Sequence, residues 1–218
     1  TDRITATMTT GNADGIIVIN GGDYITCNGI DLNGNSSYTA NLTDKYEYGF
    51  YTKKASGTDA CKNVTIRNST ITLYHNVDSS AIAGSGIFIS NISGTATVVV
   101  TSTGGASENI QIYNNTFTGC YSAIQLRGFN DAAPYSLYDQ NIQVGVGGAN
   151  TISDFGSSIN PTGTAYGVYA IYQNGIRIEN NSITSLAHNS TQWGTFMSTM
   201  TNSNIDIINN TVTINNTS

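Results

Sequence analysis

The sequence predicts an all-β chain wound as a single-stranded parallel β-helix, a solenoid of about six rungs with three short strands per rung and loops inserted at some corners. Three observations carry this. The stretch from Asn174 to Thr184 reads Asn-Gly-Ile-Arg-Ile-Glu-Asn-Asn-Ser-Ile-Thr, and close copies open at Asn63, Asn109 and Asn204, with a looser one at Asn141. Within each copy apolar residues alternate strictly, as short half-buried strands require, and Asn falls at the corner. A second phrase, a small residue leading into a strand, takes turns with the first along the whole chain, as a winding coil demands.

Ile4 to Thr10 alternates weakly and reads as an edge strand or an arm, followed by a turn at Gly11 to Asp14. Strands with small-residue starts open at Gly15, Gly49, Gly86, Ala123, Gly167 and Gly194. Between them stand the Asn-type strands, at Tyr24 to Cys27 and then from Asn63, Asn109, Asn141, Asn174 and Asn204. A third class follows about five residues later: Thr70-Ile71-Thr72, Thr116-Phe117-Thr118, Thr151-Ile152-Ser153, Ser182-Ile183-Thr184 and Thr211-Val212-Thr213. Rungs stacked at roughly 4.8 Å would build three parallel sheets around a narrow core. Val64, Ile66 and Ile71 are expected to point inward above Ile110, Ile112 and Phe117, with Thr65 and Gln111 facing water. Asn68, Asn114, Asn180 and Asn209 share one corner, where Asn tolerates left-handed backbone and its amide can bond the amide of the next rung.

The copies are unevenly spaced, so loops must leave the coil, at 33–48, 52–62, 75–85, 93–108, 127–140 and 153–166. Function is expected in these loops. Ser93 to Thr103 reads as an extra strand on an edge. The repeat runs through residues 1–218 as one domain without a linker. Both ends interrupt the pattern and would leave an open stack of strands, so the chain reads as a segment of a longer protein whose flanking rungs pair with it. Lacking an initiator Met and a signal peptide, it reads as a mature or excised piece.

Charged residues are only 10% of the chain, whereas 27 Asn, 30 Thr and 22 Ser make up more than a third of it, so solubility rests on amides and hydroxyls. With a net charge of −6 and eight scattered Lys and Arg, no basic stripe exists to neutralise phosphates, which argues against nucleic acid and anionic membranes. No apolar run is long enough for a membrane helix, so no membrane insertion is expected. Cys27, Cys61 and Cys120 form no Cys-x-x-Cys unit and read as small buried hydrophobes, or as one disulfide plus a free thiol. No metal site is indicated, and no cofactor is expected.

The ordered set of phrases resembles the right-handed parallel β-helix repeat superfamily, the pectate-lyase-like group that includes pectate lyases and phage tailspikes. The resemblance rests on Ala13-Asp14-Gly15-Ile16-Ile17-Val18-Ile19-Asn20, on Asn63-Val64-Thr65-Ile66, on Leu126-Arg127-Gly128-Phe129 and on the stretch from Pro134 to Asn141. Within that superfamily the chain looks most like β-helix segments of large bacterial surface proteins exported by type IX secretion, some of which are adhesins. The resemblance implies a right-handed coil and a secreted or bacterial cell-surface location. A fold likeness does not transfer an activity.

The reading that follows is a non-catalytic module of a secreted or cell-surface protein, a spacer or an adhesive surface contacting polysaccharide or a cell-surface glycan. Its candidate ligand-binding residues are Tyr113, Tyr135, Tyr138 and Trp193, whose flat faces suit sugar rings; the plainer account is that aromatic residues cover the flanks of the coil. Tyr46, Tyr48 and Tyr51 could serve similarly around the first loop. The alternative is a polysaccharide lyase or hydrolase using Arg127, Asp131 and Asp139, which share one loop. Calcium would enter only with that alternative, and no motif marks it. A salt bridge or hydrogen bonds pinning the loop account for Arg127 and Asp139 more simply. Lys53, Lys54, Asp59, Lys62 and Arg67 crowd an earlier loop, Arg177 and Asp206 are expected to pair across rungs, and His75 and His188 read as surface imidazoles. A remote alternative is ice binding through the Thr-x-Thr rungs, whose uniformity Phe117 and the longer loop before Thr151 are expected to break.

Overall fold

The structure, a computed structural model, describes residues 15–34, 48–73, 84–93, 96–156, 163–186 and 191–215. The expected arm at Ile4 to Thr10, the turn at Gly11 to Asp14, and Tyr46, His75 and His188 lie outside the described residues.

Three parallel sheets of six strands each wind through six rungs, the expected parallel β-helix. The first sheet is built from Gly15–Asn20, Tyr48–Lys53, Ser85–Ser90, Ser122–Arg127, Thr164–Ile171 and Thr191–Ser198. The second holds Thr26–Asn28, Thr65–Arg67, Gln111–Tyr113, Gln143–Val144, Ile176–Glu179 and Ile205–Ile208. Leu32–Asn33, Thr70–Thr72, Thr116–Thr118, Thr151–Ser153, Ser182–Leu186 and Thr211–Asn215 make the third. Among the described residues the only helical turn is a 3-10 turn at Thr103–Gly105.

Register stacks like on like. Cys27, Ile66, Ile112, Val144, Ile178 and Ile207 form one column of the second sheet. Leu32, Ile71, Phe117, Ile152, Ile183 and Val212 form the matching column of the third. Phe50, Ile87, Ile124 and Val168 close the core from the first sheet. Each fully buried side chain of this kind contributes about 1.5–3 kcal/mol of transfer free energy. The small starts of the first-sheet strands are a packing requirement: a Cβ on Gly86 would lie 2.6 Å from Cδ1 of Phe117, and one on Gly49 would lie 2.5 Å from the carbonyl oxygen of Gly86.

The corner asparagines Asn68, Asn114, Asn180 and Asn209 adopt φ between 54° and 59°, the expected left-handed backbone. The continuous amide ladder, however, runs through the next residue. Asn115 donates from Nδ2 to Oδ1 of Asn150 (3.2 Å), Asn150 to Asn181 (2.9 Å) and Asn181 to Asn210 (2.8 Å). Each of these amides also reaches a backbone carbonyl of the preceding rung, of Ile66, Ile112, Val144 and Ile178 in turn. Turning inward, this second Asn satisfies backbone groups that the corner would otherwise bury unpaired.

The longer connections fall at two corners, between the first and second sheets and between the third and first, and at the former a narrow fourth strip of pairing forms. Asp23, Lys62, Glu108 and Gln140 bridge in parallel, and Asp139–Gln140 pairs with Gln173–Asn174. Two expectations are corrected. Ser93 to Thr103 does not add an edge strand to the solenoid; Ile92–Ser93 and Ala96–Thr97 form a small antiparallel hairpin. Arg177 is the register partner of Asp206, but its guanidinium pairs with Glu179 on its own strand, which lies on the same outward side. All three cysteines are buried and free.

Candidate functional site

At the end of the first sheet the residue following each strand turns the chain toward the loops. In the third, fourth and fifth rungs these are Asn91, Gly128 and Tyr172. Gly128 is required: a Cβ there would lie 2.1 Å from the carbonyl oxygen of Tyr172, whose own φ is 55°. This close approach, with the hairpin from the rung above, shapes a cleft of about 170 Å³ lined by Asn91, Thr97, Arg127, Phe129, Ile171 and Tyr172, with Gly128 and Asn130 completing it. Its size suits a single ring-sized group rather than an extended drug-like ligand.

Arg127 projects from the last position of its strand, and its guanidinium lies 5.1 Å from the ring centroid of Tyr169. Stacking of this kind holds an Arg while leaving its in-plane N–H groups free to donate. Nε of Arg127 is buried and finds no hydrogen-bond partner among the described residues. The same holds for Oδ1 of Asn91, a side chain only 5% exposed. Both residues line the cleft, although these two atoms are themselves buried. Desolvated polar atoms of this sort are costly unless a ligand or water completes them.

Arg127 alone of the three proposed catalytic residues lines this cleft. Asp139 is buried completely: its Oδ1 lies 2.6 Å from Nζ of Lys54, equally buried, and accepts from the backbone N–H of Ser107 at 2.8 Å. Lys54 also donates to Oγ of Ser107 at 3.3 Å. Burial pushes the Asp139 carboxyl above its ordinary value, with Lys54 pulling the other way. Asp139 thus pins its loop, though to Lys54 rather than to Arg127. Asp131 is taken up within its loop, accepting from the backbone N–H of Leu137 at 2.9 Å.

The four proposed sugar-stacking aromatics fall in three places. Tyr113 lies on the second sheet, its hydroxyl accepting from Nη1 of Arg67 at 2.8 Å. Trp193, 45% exposed, extends an aromatic group on the outer face of the first sheet, 5.5 Å from Phe196. Tyr135 and Tyr138 are 5.4 Å apart, and Tyr138 is 5.9 Å from Tyr172, so their rings run up to the cleft. Tyr138 is itself buried, 2% exposed. Tyr48 and Tyr51 are buried together with Phe88. Asn91, Phe129 and Tyr172 were not singled out from the sequence; their common position, one or two residues past a first-sheet strand, is the signal that links them.

The outer face of the third sheet is more regular than the sequence suggested. Thr70, Thr116, Thr151, Ser182 and Thr211 stand in register, and so do Thr72, Thr118, Ser153, Thr184 and Thr213. Phe117 points into the core, and the loop before Thr151 leaves the pairing of Thr151 with Thr116 intact, so neither interrupts the two hydroxyl ranks.

No protein-family model matches this chain, and no curated protein matches it. Among solved structures it is similar to the surface protein and adhesin PfbA of Streptococcus pneumoniae, with a TM-score of 0.43 and 11% identity over 92% of this chain. The match spans 61% of that chain.

Proposed function

We propose that this chain is a non-catalytic β-helix module of a secreted or cell-surface protein and that it contacts glycan in the cleft beside Arg127. The observation that carries the reading is the cleft's lining. Arg127, its guanidinium set over the ring of Tyr169, lines the cleft with Asn91, Phe129 and Tyr172, and no carboxylate lines it among the described residues. Sugars bind through that combination of ring faces and paired hydroxyl hydrogen bonds. A lyase or hydrolase would need carboxylates converging there, yet Asp139 is sequestered by Lys54 and Asp131 by its own loop. The placement outside the cell, and export by type IX secretion, rest on the sequence resemblance alone.

The test is a glycan array run beside reducing-end and unsaturated-product assays on polyuronides. Binding without product is expected, weakened about tenfold or more in Arg127→Ala, as loss of a charge-assisted hydrogen bond implies. Product that disappears in Arg127→Ala would overturn the reading.

A second reading, ordered water or ice on the third sheet, is favoured by the two unbroken hydroxyl ranks across five rungs. Thr also suits exposed strand positions for reasons unconnected with ligands. Thermal hysteresis lost in Thr116→Tyr, a substitution on the outer face, would establish it; unmodified ice growth would remove it.

A further inference from the structure

Left-handed backbone recurs at the corners of the coil, and its usual occupant is asparagine. Among the described residues, Asn or Asp holds nine of the thirteen non-glycine positions with positive φ; the other four are Tyr24, Tyr135, Tyr172 and Thr199. A side chain as bulky as tyrosine strains this conformation, whereas Asn enters it readily. Such strain persists only where the surrounding structure enforces it, and it concentrates at ligand sites. Two of the four exceptions, Tyr135 and Tyr172, belong to one neighbourhood, at the cleft.

Tyr172, with φ 55°, lines the cleft. Tyr135, with φ 63°, lies in the loop that runs on from the lining residue Asn130, and its N–H closes a tight turn on the carbonyl of Ala132 at 2.8 Å. The ring of Tyr138 is near both, its centroid 5.4 Å from that of Tyr135 and 5.9 Å from that of Tyr172. Tyr138 is buried and its hydroxyl is bonded to Thr201, so it is a fixed backing; the two left-handed tyrosines beside it are half-buried. A cleft of about 170 Å³ encloses one ring, so a second ring of the same ligand must lie outside it.

We infer that Tyr135 is a second stacking position and that the site takes two consecutive rings of an oligosaccharide, one enclosed against Tyr172 and the next over Tyr135. This deepens the glycan reading of the cleft and rests on it. Aromatic rings suit the apolar faces of sugars, and tyrosine, with only two side-chain torsions, loses little freedom when a ligand settles on it. A tyrosine that served only to cover Tyr138 would have to add more by packing than its backbone strain removes. One kept for a ligand need not, and that difference makes the two roles separable.

The probes are the monomer, dimer and trimer of galacturonic acid, glucose, galactose and N-acetylglucosamine, printed as an array; each series retained is then titrated calorimetrically into the full chain. The dimer should bind about tenfold tighter than the monomer, as one added stacked ring implies, and the trimer little tighter than the dimer. Tyr135→Asn, which keeps the left-handed turn, should bring the dimer down to near the monomer's affinity and should unfold at no lower urea concentration than wild type. Equal affinities for monomer and dimer, or a dimer advantage that survives Tyr135→Asn, would overturn the inference while leaving a single sugar in the cleft. So would a lowered unfolding midpoint in Tyr135→Asn, which would make Tyr135 a cover for Tyr138. Retention of none of the series would remove the inference together with the glycan reading.

Discussion

Lys54 and Asp139 lie 85 residues apart in sequence, yet each is completely buried and the other's nearest partner. Lys54→Met leaves the Asp139 carboxyl buried without its cation, and Asp139→Leu leaves the ammonium with the hydroxyl of Ser107 at 3.3 Å. Removing one member of a buried pair costs about 3–5 kcal/mol, whereas exchanging both for apolar groups of similar volume is often neutral or stabilising. The double variant should therefore unfold close to the wild-type denaturant midpoint while each single variant falls well below it. The coupling energy from that cycle should be at least about 3 kcal/mol. Equilibrium unfolding in guanidinium chloride, followed by far-UV circular dichroism, measures all four chains. Single variants that lose under about 1 kcal/mol and add independently would refute the argument, because the two groups would then be reaching water.

The same pair sets a pH dependence of unusual sign. Burial, the largest influence, raises the Asp139 carboxyl above its ordinary 3.8, and Lys54 only partly offsets it. The native state therefore holds this proton more tightly than the unfolded chain does. Its contribution to stability is fully present below the unfolded value and is lost as pH rises through the folded one. The stability advantage of wild type over Asp139→Asn should accordingly shrink as pH rises from about 4. An advantage that grows over that range would mean the ion pair outweighs desolvation.

Three further perturbations probe the core. Asn150→Ala removes the acceptor for the backbone N–H and Nδ2 of Asn115 and one of the two donors to the carbonyl of Ile112, which keeps the N–H of Gly145, so a loss of about 1–3 kcal/mol is expected in urea unfolding. Burial pushes the Cys120 thiol from its ordinary 9.0 up to about 12, so it should resist thiol reagents in the native protein at neutral pH and react on unfolding. Since the unfolded thiol ionises first, stability should fall between those two values, and Cys120→Ala should flatten that decline. Phe117→Ala should cost about 3–5 kcal/mol by cavity formation, whereas Val212→Ala, in the corresponding position of the open sixth rung, should cost under about 1 kcal/mol; equal losses would show that the sixth rung is covered in solution.

Rung-to-rung register was legible because alternation leaves little choice: sliding a strand by one residue would place Thr65 and Gln111 in the core in place of Ile66 and Ile112. The left-handed corners were legible from Asn for the same local reason. Which member of each Asn-Asn pair carries the ladder was not, since both have the same amide and only burial separates Asn114 from Asn115. The cleft was legible only at Arg127. Asn91 and Tyr172 reach it because each directly follows a first-sheet strand in register with that of Arg127, a shared position that no residue type marks. Lys54 and Asp139 were read as loop charges; their pairing depends on where the loop before Asp139 comes back, which no local period records.

A solenoid repeats its interior, so its specificity must come from columns that packing does not constrain. The last outward position of the first sheet is such a column, reading Asn20, Lys53, Ser90, Arg127, Ile171 and Ser198 from rung to rung. Nothing in the core requires an arginine in the fourth rung. It is nevertheless held by Tyr169 one rung away, and Gly128 lets Tyr172 close beside it at a distance no other residue permits. Supporting contacts from the neighbouring rung are what preorganise a binding group, whereas a solvating charge would require none. The repetition of the interior and the singularity of this column thus have one cause: stacking fixes the scaffold, and a single departure from repetition then suffices to shape the cleft proposed to bind glycan.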